Sequence, residues 1–208
     1  SFDNEALAEL GDSAKLNLTS GSLCFTTDSY VVKPLFFNGG DIGKLAVCGT
    51  INDLAVAGSK PVALSLSLII EDGLEFKTLN KILAGISEAA RNNNVNIVTG
   101  DTKTVEAGAA DKIFINPAGI GVRLDNVDLG YEKISVGDKI IINGNLADHG
   151  VTVMAMREGL ELDLDLQTDS APLNNMIMEL INSVPELHVL RDPTRGGVGT
   201  TLNEIAQQ

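Results

Sequence analysis

A chain of 208 residues is long enough to bury one good core or two modest domains. Its 44% hydrophobic content is that of a globular protein, while 4% aromatic residues and no Trp argue against a stacking surface for single-stranded nucleic acid. Twenty-eight acidic against fifteen basic residues give a net charge of −13, a surface that repels phosphate backbones and anionic membranes, so a phosphorylated ligand has to be small and handled through metal ions.

Taken in order, residues 4–18 start polar and pass into a short strand-like segment at 14–18, just after Gly11-Asp12-Ser13. Leu23 to Val32 is rich in β-branched and aromatic residues and reads as a strand interrupted by Asp28, which marks a strand end, a bulge or a site. Residues 34–40 form a loop, with Asp41 or a neighbour capping the next helix. Asp41 to Pro61 is apolar or small almost all round, the pattern of a buried helix, and Gly58 with Pro61 stops it. Ala46, Gly49, Asp53 and Ala57 recur at helical spacing, so Asp53 lies on a small-residue face that packs closely against something. A buried carboxylate is paired, hydrogen-bonded or bound to a metal; a structural salt bridge and a cation site both fit.

Residues 62–70 read as a central strand and 74–92 as an amphipathic helix with Leu79, Ile82, Leu83, Ile86 and Ala90 on one stripe. Val95 to Val98 is a short strand emptying into a Thr-Gly-Asp-Thr-Lys turn. Lys112 to Val122 is another strand, in which Pro117 predicts an edge or bulge position. The stretch 124–137 loses periodicity and is the expected boundary between a domain at 1–124 and one at 125–208. Beyond it come a buried strand at 138–144, a helix at 150–159, an acidic connector at 161–170 and a helix at 173–184. A short strand at 188–190, a loop at 191–197 and a helix from Val198 complete the order. The mixture lacks a strict βαβ rhythm, and the fold class is α+β.

Cys24 and Cys48 are isolated in apolar runs and read as small buried hydrophobes. His149 and His188 have no metal-ligand spacing and read as core or loop residues. No signal peptide and no membrane-spanning run is present, which predicts a cytoplasmic protein. The start at Ser1 and the stop at Gln208 inside a helical pattern read as a piece of something longer.

Four aspartates fall at awkward places: Asp12, Asp28, Asp53 and Asp101. Each alone fits a cap or turn; together they suggest oxygen ligands for Mg²⁺, which bridges carboxylates to nucleotide phosphates. Lys103 would add a point positive charge near those phosphates, or is simply a solvated turn lysine. The loop Arg191-Asp192-Pro193-Thr194-Arg195-Gly196-Gly197, opening a helix, makes an anion-binding corner or a plain capped loop. There is no P-loop, Rossmann fingerprint, nucleophile elbow or kinase loop set.

The segments FTTDSYVV (25–32), GGDIGKLAVCGTINDLA (39–55), TGDTK (99–103), ADHG (147–150), REGLE (157–161), SAPLN (170–174) and LRDPTRGGVGTTLNEIA (190–206) resemble the HypE family of hydrogenase-maturation proteins. That family belongs to the superfamily of aminoimidazole ribonucleotide synthetase, selenophosphate synthetase and thiamine-monophosphate kinase. The resemblance implies an N-terminal ATP-binding sheet domain that forms a homodimer, followed by an α+β C-terminal domain that is incomplete here. It further implies ATP and Mg²⁺ as cofactors, with Asp12, Asp28, Asp53 and Asp101 at the metal and phosphates. Thr102, Asp192, Thr194 and Arg195 would join them at the nucleotide, and Lys103 would be catalytic. The implied activity is ATP-dependent dehydration of a carbamoyl group on the protein's own C-terminal cysteine to a thiocyanate, the source of hydrogenase cyanide. The implied partners are a maturation carbamoyltransferase and the iron–cyanide assembly scaffold. Neither Cys24 nor Cys48 matches the tail cysteine, and the family's glycine-rich N-terminal segment is not in this sequence either. Two alternatives stay open: a cousin enzyme of the selenophosphate synthetase or kinase type, and a non-catalytic dimeric scaffold.

Overall fold

The computed structural model describes residues 21–125, 127–160 and 166–207. Asp12 and the strand expected at 14–18 lie outside the described residues. The first half runs β1 (Leu23–Thr27), β2 (Phe36–Phe37), β3 (Gly40–Asp41), α1 (Ile42–Val56), β4 (Ser59–Glu71), α2 (Phe76–Asn92), β5 (Asn96–Val105) and β6 (Ile113–Arg123). A four-stranded sheet has the order β1-β6-β4-β5, with β5 parallel to β4 and the other neighbours antiparallel. The short β2–β3 hairpin stands where a plain loop is expected.

Both helices lie on one face of this sheet. Ile42, Val47 and Ile51 of α1 and Ile82 and Ile86 of α2 meet Leu64, Leu66 and Leu68 of β4 in one core. The stripe read on α2 is the buried one, and α1 is enclosed on nearly every side, as its apolar circumference requires. Asp41 caps α1, its carboxylate accepting from the Gly43 N–H at 2.7 Å and the Lys44 N–H at 3.1 Å. Gly58 leaves the helix with φ +72°, a conformation open to glycine.

Among the described residues no helix covers the other sheet face. Cross-strand partners point to the same side, so Phe25, Ile120 and their neighbours Leu23 and Val122 face away from the core. Leu23 is 54% and Phe25 70% exposed.

Two strand expectations need correction. The Gly-Asp-Thr-Lys stretch is not a turn: β5 continues to Val105, because parallel pairing with β4 satisfies its backbone despite the polar side chains. Pro117 is neither at an edge nor in a bulge, but in the interior strand β6. Its carbonyl accepts the Asp28 N–H at 3.0 Å, and having no N–H it returns nothing to Asp28. Pairing reappears only at Tyr30, which exchanges both bonds with Ile115 at 2.8 and 3.2 Å. The proline thus lets Asp28 leave the ladder.

The second half contains a 3₁₀ turn (Tyr131–Lys133), α3 (Asp148–Glu158), α4 (Asn174–Ser183) and α5 (Gly197–Ala206). Ile177 and Ile181 of α4 pack on Ala55 of α1, joined by Leu173 and Leu190. The strands expected at 138–144 and 188–190 are absent: no described strand pairs with either, and Ile140 and Ile141 are 71% and 87% exposed. Apolar content alone does not make a strand without a neighbour to bond it.

Candidate functional site

Where β1 ends, Asp28 comes to lie against α1 beside Asp53. Strand alternation puts Thr26 and Asp28 on the helix-covered side, and there the Thr26 hydroxyl donates to Asp53 at 3.0 Å. The Tyr30 and Thr50 hydroxyls both reach Oδ2 of Asp28, at 3.1 and 3.4 Å. Burial, then the neighbouring Asp28 charge, pushes the Asp53 carboxyl up to about 6. Burial first and Asp28 second also hold the Tyr30 phenol far above its ordinary value, so Tyr30 stays a donor. The small-residue face of α1 explains this packing: a Cβ at Gly49 would land on the Tyr30 hydroxyl.

The loop 191–197 supplies the opposite wall. Asp192 is half-buried, and burial raises its carboxyl pKa while the Asn52 side chain counters the rise. Asp192 and Asp28 also feel each other's charge, as do Asp192 and Asp53. The site thus unites Asp28, Asp53 and Asp192, three of the residues expected from sequence. Thr194 and Arg195 are exposed on the same loop. Arg191 is held back by Tyr131 and by Glu204 at 2.7 Å, so that cation serves the loop's own anchoring.

Asp101 and Lys103 stand elsewhere. They pair with Ser67 and Ile69 of β4 and so point away from α1, onto the open sheet face. Asp28 is at the opposite edge, and three strand spacings amount to about 14 Å. Within one chain neither Asp101 nor Lys103 meets Asp53. Thr102 alternates to the other face of the same exposed strand.

The Asp28–Asp53 pair suits a hard cation. Among the described residues no Lys or Arg is within ion-pair distance of Asp28, Asp53 or Asp192, so no salt bridge between described residues accounts for them. Nor do the described residues gather three His, Cys, Asp or Glu side chains tightly enough to hold an ion unaided. Two carboxylates with the remaining ligands from phosphate and water is how Mg²⁺ is held at nucleotide sites.

Sequence reading missed Asn52, Thr26 and Tyr30 as parts of this site. Asn52 is buried at 6% exposure, its amide donating to the Ala171 carbonyl at 3.1 Å and its oxygen accepting the Leu173 N–H at 2.8 Å. A buried Asn directly before Asp53 was the available signal; its partners lie too far along the chain to be read.

Residues 10–123 match the N-terminal domain, and residues 135–208 the C-terminal domain, of AIR synthase related proteins. The chain is 49% identical over 208 residues to carbamoyl dehydratase HypE of Bradyrhizobium diazoefficiens, covering 100% of this chain and 60% of that protein. A solved structure of hydrogenase maturation protein HypE in complex with ATP superposes with a TM-score of 0.95 at 50% identity, over 99% of this chain and 61% of that one. HypE in a HypE-HypF complex does so with a TM-score of 0.87 at 47% identity, over 100% and 67%. The chain spans about 60% of the length of the curated relatives it matches. With both halves matched, and with the two-layer sheet domain carrying an acidic pair at its helix-covered face, the chain belongs to the AIR synthase related protein family.

Proposed function

We propose that the intact protein uses ATP and Mg²⁺ to dehydrate a carbamoyl group on its own C-terminal cysteine, giving the thiocyanate that supplies cyanide to nickel–iron hydrogenase. The observation that carries this reading is the Asp28–Asp53 pair facing Asp192, with no described Lys or Arg in ion-pair range of them, in a chain 49% identical to a carbamoyl dehydratase. ATP enters because a similar solved HypE is an ATP complex. The chemistry requires it: an amide oxygen leaves poorly until phosphorylated, so the oxygen departs as phosphate while the nitrogen gives up its two protons and becomes the nitrile. Asp28, Asp53 and Asp192 would hold Mg²⁺ and the polyphosphate, with Asp12 added from outside the described residues. When bound, Mg²⁺ supplies charge compensation for the transferring phosphoryl group. Thr102, Thr194 and Arg195 contact the nucleotide, and Lys103 offsets charge on the reacting oxygen.

Asp101 and Lys103 can serve that same site only from a second copy, since within one chain they face away from it. The open sheet face offers the means: Leu23, Phe25, Ile120 and Val122 give the same face an apolar surface towards its other edge, across the sheet from Asp101 and Lys103. The protein is a homodimer joined through this face, with each site using Asp28 and Asp53 of one copy and Asp101 and Lys103 of the other. Residues 1–124 form the ATP-binding and dimerising domain and residues 125–208 part of the second. A HypF-type carbamoyltransferase is the partner that loads the tail, as the HypE-HypF complex supports, and an iron–cyanide assembly scaffold receives the product. The setting is the cytoplasm; no helix among the described residues is long and apolar enough to cross a membrane.

Mass spectrometry of the carbamoylated tail after incubation with Mg²⁺ and ATP tests the reading. The tail should lose one water in the wild type. Lys103→Ala should slow that loss by about a hundred- to thousandfold, the effect of removing one transition-state charge contact, with far less effect on ATP binding. A tail that never loses water overturns the dehydratase; normal dehydration in Lys103→Ala removes the lysine from the chemistry.

A further inference from the structure

The Asn52 carboxamide is used at both ends, and both partners belong to the segment that leads into α4. Its amide holds the Ala171 carbonyl at 3.1 Å and its oxygen holds the Leu173 N–H at 2.8 Å. Leu173 in turn packs in one cluster with Leu190 around Ala55 of α1. Two residues beyond Leu190 comes Asp192, whose carboxyl also lies beside the Asn52 side chain. One turn of α1 therefore carries Asp53 toward the site and, through its neighbour Asn52, the anchor for the wall facing it. A buried carboxamide bonded at both ends has one orientation, whereas a solvated or apolar side chain there would leave two backbone groups without partners.

We infer that Asn52 is a positioning residue: it ties residues 171–173 to α1 and so fixes the Asp192 loop at a set distance from Asp28 and Asp53. This rests on the proposed nucleotide site, because the ligand held between the two walls is the magnesium complex of ATP. The contact explains how residues from the two halves of the chain form one rigid ligand mouth. The consequence is specific. Asn52 contributes to ligand binding through Asp192, so its removal has little left to disturb once Asp192 is gone.

A double-mutant cycle on the intact protein reads this directly. In calorimetric titrations with Mg²⁺ and ATP, Asn52→Ala should weaken binding roughly tenfold in the wild-type background. In an Asp192→Ala background the same change should cost no more than about twofold. Asn52→Leu fills a similar volume without adding charge, loses the bonds to both Ala171 and Leu173, and serves as the second variant if Asn52→Ala is unstable. Equal losses in both backgrounds overturn the inference, since Asn52 would then act through general stability. Amide hydrogen exchange provides an arm independent of nucleotide. Exchange should quicken at 171–173 and 190–195 in the Asn52 variants while β4 and α2 stay protected. If the wild type binds no nucleotide, the proposed function fails and exchange alone decides the inference: unchanged protection at 190–195 overturns it.

Discussion

Asp53 shows how a single side chain separates structural from functional demand. Its carboxyl sits at about 6 because burial, then Asp28, disfavours its charge. The folded state therefore binds more protons than the unfolded chain between about pH 4 and pH 6, and stability contributed by protonated Asp53 is lost as pH rises through that window. In metal-free protein above pH 6, Asp53→Asn should raise unfolding stability, by about 1 kcal/mol once solvent screening of a half-exposed group is allowed for. Urea unfolding in chelator at pH 4.5 and 7.5 measures this. The same variant should lose Mg²⁺-dependent ATP binding. Lower stability than wild type at pH 7.5 would mean that Asp53 is a structural carboxylate with a partner outside the described residues. Asp53 was legible in the sequence because a carboxylate on a small-residue helix face is out of place. Asn52 was not, because an amide's role depends on partners 119 and 121 residues away.

Among the elements, α1 and α2 were readable from periodicity, because each buries apolar side chains at helical spacing against the sheet. Strands were less so. The length of β5 is set by pairing with β4 and not by its own polar residues, and the position of Pro117 depends on which strand flanks β6. The apolar residues 140–142 failed in the opposite sense, having composition without a neighbour. Within α1, Gly49 offers a contest between two known effects. Gly→Ala in a helix ordinarily stabilises by about 1 kcal/mol. Here the added Cβ would fall on the Tyr30 hydroxyl, which holds Asp28. Overpacking should win, and Gly49→Ala should destabilise by about 1–3 kcal/mol in urea or thermal unfolding. A neutral or stabilising result would show that Tyr30 moves aside freely.

For the whole molecule, the decisive fact is that the sheet, among the described residues, has a face covered by helices and one that is open. The acidic pair belongs to the first, and Asp101 and Lys103 to the second. The sequence placed all of these residues in one candidate site but could not show that the sheet lies between them. The proposed dimerisation through the open face would resolve the separation, and Phe25, 70% exposed at the edge of that face, should matter to it. Light scattering at micromolar concentration should find a dimer, and Phe25→Asp should weaken association roughly thirtyfold or more, as loss of a buried aromatic anchor does. A wild-type monomer would remove the shared site.

Mixing two inactive variants of the intact protein tests the shared site most directly. Asp53→Asn and Lys103→Ala homodimers should each fail to dehydrate the carbamoylated tail, since every site in them is damaged. Dissociated and re-paired at equal amounts, half the dimers become mixed, and each mixed dimer holds one site with both residues intact. Tail dehydration should then return to about a quarter of the wild-type level. No recovery in verified mixed dimers would place Asp53 and Lys103 in the same copy's site and contradict a site built across two copies.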